Sequence, residues 1–127
     1  MALMRICECI DTYAMDEITT LQADVLKTLA NPRRLEIVHR LAQGPCEVGR
    51  LAEELGISQP NVSQHLAVLR SAGVVDSERE GREMRYRLTD PDVVVACNVM
   101  RGVLQRRLTR LGRLSHLDQA DDLVEIQ

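Results

Sequence analysis

Leu51 and Leu55 lie four residues apart, and Val62, Leu66 and Leu69 follow at spacings of four and three. Positions so spaced share one face of an α-helix, so the pattern predicts two short helices, each with a single buried stripe. Gly56 follows the first stripe at once, where a helix often ends in a left-handed residue that glycine adopts at least cost. Ser58 offers a hydroxyl to cap the second helix, and Pro60 sits in its first turn, where no amide partner is lost. The face opposite the second stripe carries Gln59, Asn61, Ser63, Gln64, His65 and Arg70. These are short hydrogen-bonding side chains, not the Glu and Lys of an ordinary solvated face. Two helices joined at a glycine turn, the second with a hydrogen-bonding face, predict a helix-turn-helix.

The same periodicity extends in both directions. Ile18, Leu21, Val25, Leu26 and Leu29 predict a first helix at about 16–30. Asn31-Pro32 caps and opens a second helix to about Gln43, with Leu35, Val38 and Leu41 inward, and Gly44-Pro45 breaks it. Cys46 then begins the third helix. After Gly73-Val74-Val75 the pattern changes to alternation around Gly81, over Arg79 to Leu88, which predicts a β-hairpin. Arg79, Arg82, Arg85 and Arg87 make it a basic hairpin that meets phosphate. Asp90-Pro91 opens a long last helix to about Ser115, with Val93, Cys97, Met100, Leu104, Leu108 and Leu111 in one stripe, broadened by Val94, Val95, Val99 and Val103. A helix apolar over so much of its surface in so small a chain wants a partner. The expected architecture is mainly α with a small β-hairpin wing: a winged helix-turn-helix of about five helices that dimerises through its first and last helices. Residues 1–14 form a flexible N-terminal segment, 15–115 the winged helix-turn-helix and dimerisation domain, and 116–127 an acidic tail.

At this point the chain resembles the ArsR/SmtB transcriptional repressors. The resemblance covers about residues 20–105 and rests on Asn31-Pro32-Arg33-Arg34-Leu35-Glu36-Ile37, Leu51-Ala52 to Gly56-Ile57-Ser58, Val62-Ser63-Gln64-His65-Leu66, Leu69-Arg70, Gly73-Val74-Val75, and Gly81-Arg82 with Tyr86-Arg87-Leu88. It implies a homodimeric winged-helix repressor on double-stranded operator DNA with inverted-repeat symmetry, released when an inducer binds. Gln59, Ser63, Gln64 and His65 would then read base edges or nearby phosphates, with Ser58, Asn61, Arg70, Arg79, Arg82 and Arg85 completing the contact surface.

The 127 residues carry a net charge of −3, which excludes a protein that coats nucleic acid indiscriminately but not a site-specific binder. Hydrophobic content of 45% without Phe or Trp requires a core of Leu, Val, Ile, Met and Ala. No apolar run approaches a membrane span and the N-terminus lacks a signal-peptide pattern, so the expected location is cytoplasmic. No Ser/His/Asp set, phosphate loop or paired-carboxylate cleft points to an enzyme, and His39 reads as a partly exposed structural residue.

Four cysteines in a reducing compartment do not suggest a disulfide framework. Cys7 and Cys9 are two apart and can turn toward one ion, and Cys46 at a helix start would have its thiolate favoured by amide dipoles. The resemblance implies sensing by cysteines around this helix together with N-terminal thiols. A set of Cys7, Cys9 and Cys46 would suit As(III), Cd, Pb or Hg, with Cys97, otherwise a packed residue, as an extra ligand. The family's motif here is Glu-Leu-Cys-Val-(Cys/Gly)-Asp-Leu. This chain reads Gly44-Pro45-Cys46-Glu47-Val48-Gly49-Arg50-Leu51, with the cysteine one residue early and Arg50 in place of Asp. The family's zinc site between last helices falls on Asp90, Asp92, Val103 and Arg106, and neither valine nor arginine holds zinc. His116 with Asp118, Asp121, Asp122 and Glu125 would offer a weaker nickel or zinc site. Two other readings stand beside metal sensing. One is a repressor of the same fold switched by a disulfide or persulfide, although the thiol positions of redox-sensing relatives fall near His39 and Gln105 here. The other is a helical interaction protein with no affinity for DNA.

Overall fold

The computed structural model describes residues 12–112, with side chains from residue 15 onward. Among these residues the order is α1 (Thr12–Leu29), α2 (Pro32–Leu41), β1 (Cys46–Glu47), α3 (Val48–Leu55), α4 (Gln59–Ser71), β2 (Val75–Glu80), β3 (Glu83–Leu88) and α5 (Asp92–Arg110). The strands form one antiparallel sheet in the order β1-β3-β2. The chain divides into two compact units, one ending at Asp90 and one beginning at Pro91.

Local chemistry sets the boundaries of the first unit. Asn31 caps α2 from an extended backbone, its Oδ1 accepting the N–H of Arg33 at 2.9 Å and of Arg34 at 3.2 Å. A cap of this kind is worth about 1 kcal/mol. Gly56 closes α3 at φ 68°, the left-handed conformation that favours glycine. The Ile57 N–H returns to the Ala52 carbonyl at 3.2 Å, satisfying one carbonyl at the helix end. Ser58 then caps α4, its Oγ accepting the Asn61 N–H at 3.3 Å, with Pro60 in the first turn. The helix-turn-helix expected from the apolar spacing is therefore present, with Leu51, Val62, Leu66 and Leu69 fully buried.

Ile37 and Val38 of α2 and Val75 of β2 are likewise fully buried. Leu35, expected inward, is half-buried, and the buried residues of α2 are Ile37, Val38 and Leu41. The other departure matters more. Cys46 does not begin a helix: it pairs with Tyr86, and Glu47 with Arg85, making a third strand beside the hairpin. Two residues are too few to show a strand period, and their partner lies about 40 residues away, so no local pattern announces β1.

Helix α1 begins at Thr12, before its first apolar stripe residue and inside the span assigned to a flexible segment. Among the described side chains of α1 only Leu29 is buried, while Ile18, Leu21 and Leu26 are exposed. In the second unit, α5 follows Pro91 at its N-cap position and ends at Arg110. Val95, Val99, Met100, Val103, Leu104, Leu108 and Leu111 are all exposed, Val99 at 65%. No helix among the described residues is long and apolar enough to cross a membrane.

Candidate nucleic-acid interface and thiol sites

Burial of Val62, Leu66 and Leu69 fixes how α4 is rolled against the core, and that roll decides which side chains face out. Gln59, Asn61, Ser63, Gln64 and Arg70 are exposed, as the spacing predicts. Ser58 is exposed too, but one of its lone pairs is already committed to the cap. His65 differs from the rest. It is half-buried, and its Nδ1 accepts a hydrogen bond from Arg34 Nε at 3.4 Å. Arg34 belongs to the family motif from Asn31 to Ile37, but no pattern ties it to His65, because the contact spans 31 positions of chain.

A groove of about 300 Å³ runs from the first turn of α3 past α4 to the wing. It is lined by Val48, Gly49, Gln59, Ser63, Arg82, Glu83, Met84 and Tyr86. Gln59 and Ser63, four apart on α4, thus share a concave surface with the Arg82 at the hairpin turn. Tyr86, a residue of the family pattern, is half-buried beside them.

The wing is not a basic hairpin. Asp76, Glu78, Glu80 and Glu83 balance Arg79, Arg82, Arg85 and Arg87, so its net charge is 4 − 4 = 0. Register explains where the charges go. Glu78 faces Arg85 and Asp76 faces Arg87, so acids and arginines of one sheet face are neighbours. Arg85 Nη1 donates to Glu80 Oε2 at 2.9 Å, and Arg87 Nη1 to Glu78 Oε2 at 3.4 Å. Arg79 Nε donates to the Gly81 carbonyl at 3.4 Å. Arg82, exposed at the turn, has no side-chain partner among the described residues, so its guanidinium is the readiest of the four for phosphate. A hydrogen bond to Glu47 and the repulsion beside it push the Glu83 carboxyl up from its ordinary value.

Cys46 is 3% exposed and donates weakly through Sγ to the Glu47 carbonyl at 3.6 Å. Burial pushes its thiol up, and the opposing charge of Arg40 does not win. The expected thiolate-favouring helix start is thus replaced by a buried neutral thiol on an edge strand. Arg40 itself is paired with Glu54, which also receives Arg50 Nε at 3.3 Å; the Arg40 hydrogen bond holds the Glu54 carboxyl low. Arg50, in place of the family's Asp, therefore works as a helix-surface ion pair. Cys97 is half-buried on α5 and, like Cys46, a free thiol. Cys7, Cys9, His116 and the acidic residues after it lie outside the described residues. Among the described residues no three His, Cys, Asp or Glu side chains converge as metal ligands.

The signature of the "Bacterial regulatory protein, arsR family" matches residues 31–77, which carry α2, the helix-turn-helix and the entry to the wing. A biofilm growth-associated repressor of Agrobacterium fabrum is 49% identical over 77 residues, 61% of this chain and 66% of that protein. The solution structure of the homodimeric winged helix-turn-helix DNA-binding domain of a possible ArsR-family regulator from Mycobacterium bovis is similar, with TM-score 0.70 and 31% identity. That likeness covers 80% of this chain and 94% of that one. Reduced HlyU from Vibrio cholerae is 32% identical with TM-score 0.63, covering 70% and 94%. The chain belongs to the ArsR family of winged helix-turn-helix bacterial regulatory proteins.

Proposed function

We propose that the protein is a homodimeric transcriptional repressor that binds an inverted-repeat operator and is released when a soft metal or metalloid ion binds cysteine thiolates. The observation that carries the DNA-binding half is the exposed amide and hydroxyl face of α4, continuous through the Gln59–Ser63 groove with Arg82 of the wing. Such a helix presents side chains of the right length to base edges, while the wing supplies a phosphate contact. The relatives named as repressors and the homodimeric neighbour support this reading.

Release is proposed to act through β1. As(III), Cd, Pb or Hg would take thiolates of Cys46 with Cys7 and Cys9. Cys46 has to lose its proton and its burial to ligate. Its strand is two residues long and pairs with the wing strand at Tyr86 and Arg85. Drawing Cys46 outward therefore breaks the pairing that anchors the wing's base. An ion bound more tightly by that arrangement shifts the protein off DNA by the difference in affinity.

The free thiols of Cys46 and Cys97, and a similar protein solved in a reduced form, favour keeping a second reading, in which an oxidant joins two of the four cysteines as a disulfide, or a polysulfide leaves a persulfide on one of them, and β1 is displaced in the same way. Replacing each cysteine by serine separates the two. Under metal sensing, Cys7→Ser, Cys9→Ser and Cys46→Ser repress normally but no longer release DNA on As(III) or Cd, while Cys97→Ser behaves as the parent. Release by metal in Cys46→Ser but not in Cys97→Ser would place the site on α5. Metal response in all four, with lost response to an added polysulfide or peroxide, would establish the redox switch.

A further inference from the structure

His65 is held by a residue outside the helix-turn-helix, and that contact decides what the histidine offers. Arg34 Nε donates to His65 Nδ1 at 3.4 Å, and Arg34 Nη1 donates to the Thr28 carbonyl at 3.0 Å. Thr28 lies in the last turn of α1, where carbonyls have no intrahelical partner. The Lys27 and Leu29 carbonyls on either side accept backbone amides, from Ala30 at 3.3 Å and Asn31 at 2.8 Å. The guanidinium serves the carbonyl between them. Its root is fixed as well, because the Arg34 N–H is bound by the Asn31 side chain at 3.2 Å. One planar fork thus joins the end of α1 to α4.

A guanidinium only donates and does not deprotonate in proteins. The ring nitrogen facing Arg34 must therefore carry the lone pair, which places the ring's proton on Nε2. We propose that Arg34 is a positioning residue for DNA reading, acting through His65: it holds the ring so that its second nitrogen offers a donor to acceptors on the duplex, phosphate oxygens or base edges. The inference rests on the DNA-binding reading above. It also ties the orientation of a residue on α4 to the last turn of α1.

A double-mutant cycle with Arg34→Lys and His65→Ala tests it, read as affinity for an operator selected from random duplexes and accompanied by nitrogen-15 histidine spectra of the free protein. Lysine keeps the charge but lacks the fork that serves both acceptors. Arg34→Lys and His65→Ala should each weaken operator binding about tenfold, the scale of a lost hydrogen bond to a charged group. The double variant should bind no more weakly than His65→Ala alone. The parent spectrum should show His65 Nδ1 unprotonated, and Arg34→Lys should give a mixture of tautomers. Equal weakening by Arg34→Lys in both backgrounds, or a proton on Nδ1 in the parent, overturns the proposal. Arg34→Gln replaces Arg34→Lys if helix content falls. A parent with no affinity for any duplex overturns the DNA-binding reading, and the ring spectrum then decides the Arg34 contact by itself.

Discussion

Gln64 is exposed on the face of α4 opposite the buried Val62, Leu66 and Leu69. Truncating it leaves the cap and the core untouched, so any effect reports on contact with DNA. A good bidentate base contact discriminates by about 1–3 kcal/mol. Gln64→Ala should therefore weaken binding to the selected operator by roughly ten- to a hundredfold on that scale while barely changing affinity for unrelated duplex. Equal losses on both would put base reading elsewhere. Cys46 makes the opposite kind of prediction, about what burial hides. Its thiol is pushed up chiefly by burial, so at neutral pH little thiolate is available and iodoacetamide should label it much more slowly than in urea. The sign carries over to stability. A raised folded-state pKa contributes fully below the ordinary thiol range, and that contribution is lost as pH rises through the folded value. A denaturant midpoint that falls in mild alkali for the parent but not for Cys46→Ala checks it. Labelling of native protein as fast as unfolded would contradict the burial.

The wing shows how pairing changes what composition suggests. Removing Arg82 should lower the slope of log affinity against log salt by nearly one unit, because each phosphate contact releases about one counterion. Arg85→Ala should change the slope less, since Glu80 already neutralises that guanidinium, and Glu80→Gln should strengthen binding by freeing it. Binding titrations from low to moderate salt decide this, and a larger loss of slope for Arg85 than for Arg82 would reverse the assignment. The turn between α3 and α4 was legible because its determinants are neighbours in sequence: Gly56 at positive φ, the Ser58 cap, and stripes spaced by three and four. β1 was not, because two residues have no period and their pairing is made across the fold. The four wing arginines were visible, but the acids that face them became meaningful only with the register. His65 was correctly placed on α4, yet its tie to Arg34 depends on packing α2 against α4, which no spacing reveals.

The exposed valines, leucines and methionine of α5 belong to a surface too apolar for a solitary chain. Burying a side chain such as Val99 or Leu104 in a dimer contributes about 1.5–3 kcal/mol, and burying a charge there without a partner reverses the sign. Val99→Glu should therefore convert dimer to monomer in sedimentation equilibrium and, because the two half-sites lose their joint reader, weaken binding to the full operator far more than to one half-site. Unchanged dimerisation would place the seam elsewhere. Repression of an inverted repeat needs two recognition helices set one helical turn apart, about 34–36 Å, a spacing one chain cannot provide. The most direct test is a salt-dependent titration of the parent on the selected inverted repeat, on a single half-site and on unrelated duplex, with the bound mass determined at saturation. Two chains should bind each inverted repeat, with affinity falling linearly with log salt and preference over unrelated duplex of about a thousandfold or more. Equal, salt-insensitive affinity for all three, or one chain per inverted repeat, would contradict dimeric operator binding.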